Sequence, residues 1–152
     1  MMGAVYILNG PNLNLLGVRE PHLYGNTTLA QIEQLCRRVA TEVGLQCEFR
    51  QSNHEGFLVD WVQEARTHGA AVVINPAGLS FRSIPLLDAL KALDQPIAEV
   101  HITNIHRREA LYQHSLVSLA ATGVICGFGP FGYELAIRAV AQCMAGAAPR
   151  PA

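Results

Sequence analysis

The chain alternates short apolar runs with longer segments in which apolar residues recur at helical spacing. Short, nearly continuous apolar runs predict strands buried on both faces. Two such runs are Ala4–Leu8 and Ala70–Ile74, and the segments Ile97–His101 and Gly123–Cys126 predict two further strands. By contrast, Leu45–Arg50 alternates apolar and polar residues, which predicts a half-exposed strand at a sheet edge.

The segments between these strands predict helices. Thr28 and Gln31 form a capping-box sequence that predicts a helix start, and Gly44 predicts its end. The other predicted helices are one that carries Phe57–Ala65 and stops at Gly69, one capped by Ser83, a charged helix from Arg107 and a last helix over Tyr133–Cys143.

Strands that alternate with helices indicate an α/β fold with a parallel sheet. One alternating strand among several continuous ones favours a flavodoxin-like, doubly wound, five-stranded parallel sheet of order 2-1-3-4-5, with helices on both faces. At about 150 residues per domain, the 152 residues predict a single α/β catalytic domain over residues 1–144. Residues 145–152, rich in Ala and Pro, are expected to form a frayed tail.

Polar residues follow every predicted strand at its carboxyl end. In a doubly wound sheet these ends converge on one crevice, where ligands bind. The polar segments are Asn9–Asn12, Ser52–Glu55, Asn75–Pro76, Glu99 with His101–Asn104, and Gly127–Gly129. A purely structural domain has no reason to concentrate amides, histidines and a carboxylate there, so we predict a functional site.

Composition and charge indicate which kinds of partner the protein can bind. The net charge is −1, which gives no basic excess for nucleic-acid binding. No apolar run reaches the roughly 18 residues that span a bilayer, and the N-terminus lacks the pattern of a signal peptide, so we expect a cytoplasmic protein without membrane contact. Only 15% of the residues are charged, below the roughly 25% that is usual, which favours a homo-oligomer.

Glu99 and His101 are the first candidates for proton chemistry. They lie two apart on a predicted strand and therefore share a face. A carboxylate beside an imidazole fixes its tautomer and favours its protonated form, which makes it a competent proton donor. The alternative is a surface ion pair at a strand end.

Arg19 and Tyr24 are the second candidates, in a long polar loop over residues 17–26. Long loops of this kind are often functional lids. A free phenol is largely protonated at neutral pH, but a nearby guanidinium favours the phenolate and so makes a usable base. The alternative is an exposed aromatic ring and a solvated charge.

Other motifs give weaker signals. Gly127–Gly132 matches the dinucleotide-binding pattern, but it closes the last strand–helix unit, so a tight turn near a neighbouring loop is favoured. His54, Glu55 and His106 lack metal-ligand spacing, and no metal is expected. The four widely spaced cysteines are interpreted as small buried hydrophobes.

Five separated blocks, spread over nearly the whole chain, carry a family resemblance. They include Ile7–Gly17 with Arg19 and Tyr24, Gln51–Gly56, Asn75–Pro76, Glu99–His101 with Asn104, and the Gly127–Tyr133 turn. In these blocks the chain closely resembles the type II 3-dehydroquinate dehydratases. The resemblance implies a hydro-lyase that converts 3-dehydroquinate to 3-dehydroshikimate without a metal or an organic cofactor.

The resemblance also implies roles for the proton-transfer residues. Tyr24 is implied to be the base that removes a proton from C2, with Arg19 keeping it ionised. Asn12 is implied to stabilise the enolate through a bound water, which is a role of the oxyanion-hole kind. His101 is implied to protonate the leaving hydroxyl, oriented by Glu99.

A second set of implied residues binds the substrate. Asn75 and the backbone at Ile102 and Thr103 are implied to hold it, and Arg108 resembles the family's loop-contacting arginine. Asp88 corresponds to a residue that reaches the site of a neighbouring subunit. Similar enzymes are dodecamers built as a tetramer of trimers, which would account for the low fraction of charged residues.

Two positions depart from the family pattern. Phe81 replaces a histidine and Tyr112 replaces an arginine, both of which contact substrate in the family; Arg82 or Arg107 could compensate. These changes leave open a paralogue that acts on a related cyclic hydroxy-ketone or has reduced activity. The Gly127 turn leaves open a non-catalytic flavodoxin-like module that binds a nucleotide or flavin.

Overall fold

A five-stranded parallel sheet of order β2-β1-β3-β4-β5 forms the centre of the computed structural model, which describes residues 2–146. All four neighbouring strand pairs are parallel. The strands are β1 (Gly3–Asn9), β2 (Leu45–Gln51), β3 (Ala71–Asn75), β4 (Ile97–His101) and β5 (Gly123–Cys126). The predicted strand order is confirmed, and the alternating strand lies at an edge.

Helices cover both faces of the sheet. They are α1 (Pro21–Tyr24), α2 (Leu29–Glu42), α3 (Glu55–Thr67), α4 (Ile84–Lys91) and α5 (Phe131–Ala145). Successive side chains of a strand point to opposite faces, so Val5 and Ile7 pack in the core with α2 and α5. Tyr6 and Leu8 pack in the second core, with α3 and α4. Burial on both faces explains why β1 is an unbroken apolar run.

Local signals set the limits of α2 as predicted. The Thr28 hydroxyl accepts a hydrogen bond from the Gln31 backbone N–H, and the Gln31 side-chain oxygen accepts one from the Thr28 N–H. After the helix, Gly44 has a φ of +77°, a left-handed conformation that a glycine adopts at no steric cost.

The connection between β4 and β5 corrects the prediction of a charged helix from Arg107. It contains only three 3₁₀ turns, Ile105–Arg107, Ala110–Tyr112 and Val117–Leu119. Long-range contacts replace helical ones here, since the Leu116 backbone N–H donates to the Ser80 carbonyl over 2.7 Å. The connection begins at the carboxyl end of β4, and its last turn packs in the second core, where Val117 and Ala120 are buried with α4.

The last helix is longer than predicted. It begins at Phe131 and includes Ala145, so the first residue assigned to the frayed tail is helical. Residues 147–152 of that tail lie outside the described residues.

A close approach of two loops brings the ends of β1 and β3 together. The Gly10 N–H donates to the Asn75 carbonyl over 2.9 Å. A Cβ atom at Gly10 would lie 2.3 Å from the Pro76 carbonyl oxygen, so only glycine fits there. This contact sets the spacing between the loop that carries Asn12 and the loop that begins at Asn75.

Of the four cysteines, all free thiols, only Cys36 is buried, where burial raises the pKa of its thiol. The other three are half-buried, so the interpretation of the cysteines as buried hydrophobes holds only for Cys36. No helix within the described residues is long and apolar enough to cross a membrane.

Candidate active site

A cavity of about 240 Å³ lies at the carboxyl ends of β1, β3 and β4. This is the crevice where the strand order predicts a ligand. The site residues predicted from sequence that line it are Asn12, Arg19, Tyr24, Asn75, His101, Ile102, Thr103 and Arg108. Glu99 lies behind His101, and Asp88 does not line the cavity.

One contact fixes the imidazole of His101, and a second contact fixes the carboxylate that it pairs with. Its Nε2 hydrogen-bonds Glu99 Oε2, and the other carboxylate oxygen accepts a hydrogen bond of 2.6 Å from the Ser118 hydroxyl. Glu99 is fully buried and His101 is 5% exposed. The two side chains share a face as predicted, and their burial shows that the alternative of a surface ion pair is wrong.

The charge balance of Glu99 favours a carboxylate. Burial raises the pKa of the Glu99 carboxyl, but the hydrogen bond and charge of His101 and the hydrogen bond from Ser118 outweigh it and leave that pKa below its usual value. The carboxylate holds the imidazole in one orientation, with its ring at the wall of the cavity.

Tyr24 lies at the other side of the cavity, at the end of the one-turn helix α1. Its hydroxyl oxygen accepts a hydrogen bond of 3.2 Å from Arg108 Nη1. The Arg19 guanidinium carbon lies 5.7 Å from the centre of the same ring. Arg19 is thus close to Tyr24, which the length of the loop allows and the family resemblance implies, but the cation that touches the hydroxyl is Arg108.

Asn75 is held by a buried network at the base of the cavity. Its Nδ2 donates to the Tyr133 hydroxyl over 3.0 Å, and that hydroxyl donates to Asn9 Oδ1 over 2.7 Å. The Asn75 Oδ1 accepts from the Ala77 N–H over 3.2 Å. Burial raises the pKa of Tyr133, so its phenol stays protonated and acts as a fixed donor.

Strained backbone is concentrated around the cavity. Among the described residues, the non-glycine residues with positive φ are Asn12 (+70°), Glu20 (+45°) and Ala77 (+52°). Asn12 and Ala77 line the cavity, and Glu20 is next to Arg19. Such conformations cost of order 1–3 kcal/mol each and cluster at functional sites. The Asn12 N–H also donates to Asn53 Oδ1 over 2.9 Å, which helps to hold its loop.

The Gly127–Gly132 motif forms the tight turn that the sequence favoured. The N–H groups of Gly127 and Gly129 donate to the carbonyls of His101 and Ile102, over 3.2 and 3.0 Å. A Cβ atom at Gly127 would lie 3.1 Å from Asn104 Cβ. These glycines serve the packing of one loop on another, and their N–H groups are used for it.

Phe81 and Tyr112, the two departures from the family pattern, form an aromatic wall of the cavity. Their ring centres are 5.6 Å apart, at 80°, and the Phe81 ring lies 6.4 Å from the His101 ring. Of the two arginines considered as compensators, Arg82 does not line the cavity, and Arg107 lines only a neighbouring open groove.

Sequence reasoning missed three supporting residues: Ser118, Tyr133 as a hydrogen-bonding group, and Asn53 as the partner of Asn12. Each acts across a long sequence separation, 124 residues for Tyr133 and Asn9. No local motif signals such contacts. Within residues 2–146, no group of three or more His, Cys, Asp and Glu side chains is placed to hold a metal ion.

The fold and cavity define an α/β domain that holds a phenol, an imidazole and two guanidiniums around one small-molecule site. Residues 3–141 match the family model described as dehydroquinase class II. The chain belongs to this family.

Named relatives agree with the family. The chain is 55% identical to a 3-dehydroquinate dehydratase of a Caulobacter species, over 93% of this chain and 96% of the relative. It is 53% identical to 3-dehydroquinate dehydratase 1 of Agrobacterium fabrum, over 92% and 97% of the two chains. A solved type II dehydroquinase from Propionibacterium acnes superposes with a TM-score of 0.90 at 43% identity, covering 93% of this chain and 98% of that one.

The lowered pKa of Glu99 predicts a pH-dependent contribution to stability. A depressed folded-state pKa stabilises the protein above about 4.5, the ordinary value for this carboxyl, and the contribution is lost as the pH falls through the folded-state value. In urea unfolding, the free-energy difference between the wild type and Glu99→Gln is therefore expected to shrink as the pH falls below about 4.5.

The variant Asp60→Asn, which removes an exposed carboxylate on α3, controls for the loss of a charge as such. A difference between wild type and Glu99→Gln that stays constant from neutral to acid pH would contradict this assignment of the carboxylate.

Proposed function

We propose that the chain is a 3-dehydroquinate dehydratase that eliminates water through an enolate, with Tyr24 as base and His101 as acid. The observation that carries this mechanism is the placement of the two groups. A phenol beside two guanidiniums and an imidazole on a buried carboxylate line the same cavity. An elimination of this type needs a base, an acid and a stabiliser of negative charge around one small ring.

Tyr24 removes a proton from C2, the carbon next to the ketone. Two guanidiniums place positive charge beside this phenol, Arg108 through a hydrogen bond to the oxygen and Arg19 beside the ring. The electron pair of the broken C–H bond moves into the ketone and gives an enolate. Asn12, at the rim of the cavity, stabilises that enolate through a water.

His101 completes the elimination. As the enolate collapses, the bond to the hydroxyl on the carbon beside C2 breaks, and the imidazole gives its proton to the departing oxygen. Water leaves and a conjugated double bond remains. Glu99 balances the positive charge of the protonated imidazole, and Ser118 keeps the carboxylate in place.

Substrate binding uses the polar end of the cavity. Asn75, whose orientation is fixed by Tyr133 and Ala77, and the backbone at Ile102 and Thr103 hold the polar groups of the substrate. The loss of a hydrogen bond to a charged group costs about 1.5–3 kcal/mol. Phe81 and Tyr112 therefore predict weaker binding of the substrate hydroxyls than the family pattern provides.

A related substrate is the second candidate, and the aromatic wall of Phe81 and Tyr112 is the observation that favours it. A cyclic hydroxy-ketone with fewer hydroxyls would leave fewer of its hydroxyls without a hydrogen bond beside this aromatic wall. A nucleotide-binding module is not favoured, because the N–H groups of Gly127 and Gly129 are bonded to the loop after β4.

The proposed assembly is a homo-oligomer, and a dodecamer by resemblance. Asp88 is exposed on α4 and does not line the cavity of its own chain, so it can contact substrate only in another copy. On the same helix Ile84 is 60% exposed, which is costly for a large apolar side chain in water. The cytoplasmic location expected from the sequence stays a prediction.

Variants of Tyr24 and His101 test the two proposed proton-transfer roles separately. Tyr24→Phe deletes only the ionisable oxygen, so it is expected to abolish dehydration and to leave substrate binding largely intact. His101→Ala is expected to cripple the elimination. Formation of the conjugated enone is followed by ultraviolet absorbance, and binding by calorimetry. A near-normal rate in either variant would remove that residue from its role.

The substrate question is tested at Phe81. Phe81→His is expected to lower KM for 3-dehydroquinate by roughly ten-fold or more, because one hydrogen bond to substrate is restored. For comparison, the same rates are measured with a panel of cyclic hydroxy-ketones that carry fewer hydroxyls than 3-dehydroquinate. Preference of the wild type for one of these over 3-dehydroquinate would favour the second candidate.

The assembly is tested by sedimentation velocity on the full chain. We expect a species of about twelve chains, as in the related enzymes. Sedimentation as a single chain at micromolar concentration would contradict both the oligomer and the role of Asp88.

A further inference from the structure

Tyr112 has a contact that its place in the cavity wall does not explain. The guanidinium carbon of Arg108 lies 4.1 Å from the centre of the Tyr112 ring. The same guanidinium donates to the Tyr24 hydroxyl. We propose that Tyr112 is a positioning residue, which holds Arg108 by stacking so that its positive charge and its hydrogen bond stay on the Tyr24 oxygen.

The geometry of an arginine makes the two contacts compatible. A guanidinium is planar, its faces stack on aromatic rings, and its N–H groups point outward in the plane. Stacking on Tyr112 uses a face of Arg108 and leaves Nη1 free to donate to Tyr24 Oη over 3.2 Å. The distance from Arg108 to the Tyr24 ring centre is 5.9 Å, so Tyr112 is the closer aromatic support.

The backbone of the β4–β5 connection fixes the stack. The 3₁₀ turn Ala110–Tyr112 closes with a hydrogen bond of 2.9 Å from the Tyr112 N–H to the Glu109 carbonyl. The Gln113 side chain donates to the Arg108 carbonyl over 2.5 Å. These bonds set the position of residue 112 relative to residue 108 without involving either side chain.

Phe81 also packs against the ring of Tyr112. Its edge-to-face packing at 5.6 Å is a favourable aromatic geometry, and it stacks in turn near His101. Side chains in contact thus run from the acid to the base, in the order His101, Phe81, Tyr112, Arg108 and Tyr24. The two departures from the family pattern belong to one packing unit.

In the described part of the chain, Arg108 has no carboxylate partner. Among the ion pairs of residues 2–146, none includes this arginine. Its charge is oriented by aromatic contacts and by the phenol alone. The other charged or titratable groups that border the cavity are Arg19 and His101, and neither contacts the Tyr112 ring.

The inference rests on the proposed role of Tyr24, and a double-mutant cycle tests it. Tyr112→Leu removes the stacking face, Tyr112→Phe keeps it, and both are made in wild-type and Arg108→Met backgrounds. We measure kcat, KM and the pH dependence of kcat/KM for 3-dehydroquinate.

Tyr112→Leu is expected to lower kcat by roughly ten-fold, the size of a partly desolvated cation–π contact. The acid limb of its kcat/KM profile should move to higher pH, because the phenolate loses a fixed cation. Tyr112→Phe should restore the wild-type values. In the Arg108→Met background, Tyr112→Leu should change neither kcat nor the position of the acid limb. The effects of two residues that act through one contact are not additive.

A matched control is available outside the cavity. Trp61 lies 5.7 Å from the Arg50 guanidinium carbon, so Trp61→Leu removes an arginine–aromatic contact of the same kind. It is expected to leave the pH profile unchanged. Should Tyr112→Leu fold poorly, Tyr112→Gln is the second variant without a ring.

Two outcomes would overturn the inference. One is a rise in KM with an unchanged acid limb, which would make Tyr112 a simple wall contact. The other is full additivity with Arg108→Met. If the wild type does not dehydrate 3-dehydroquinate at all, the proposed function fails separately. The inference is then judged by spectrophotometric titration of the Tyr24 phenol, obtained as the difference between each protein and its Tyr24→Phe counterpart.

Discussion

The buried contact between Glu99 and His101 is the constraint on which the site depends. An unpaired carboxylate with no exposure costs several kcal/mol, so Glu99 requires the hydrogen bonds from His101 and Ser118. Ser118 belongs to the last turn of the β4–β5 connection, and its bond ties that connection to the sheet. The same connection carries Arg108 and Tyr112, so one buried charge helps to place both the proposed acid and the surroundings of the proposed base.

The proposed acid, His101, and the proposed base, Tyr24, are held by different means. His101 is the last residue of a central strand and is fixed by backbone pairing and by a buried carboxylate. Tyr24 ends a one-turn helix in a loop, and its hydroxyl is held by a side chain from another loop, 84 residues away. Changes in these loops are therefore expected to alter rate more than folding, because few core contacts depend on them.

The sequence predicts the sheet and the contact of Glu99 with His101, but not the surroundings of Tyr24. Strand burial on both faces leaves continuous apolar runs, and the two-residue period of a strand places Glu99 beside His101. The β4–β5 connection was wrongly predicted as a helix, because bonds such as Leu116 to Ser80 override local preference. The contact of Arg108 with Tyr24 has no local signal. Asp88 cannot be placed from one chain, since its proposed partner is another copy.

Proton exchange at C2 tests the division of roles most directly. We would incubate 3-dehydroquinate in D₂O with His101→Ala and follow the C2 hydrogens by NMR. If Tyr24 forms the enolate independently of the acid, deuterium enters C2 faster than in buffer, without loss of water. The double variant with Tyr24→Phe should show only the background rate. Equal exchange by both variants would contradict the assignment of Tyr24 as the base.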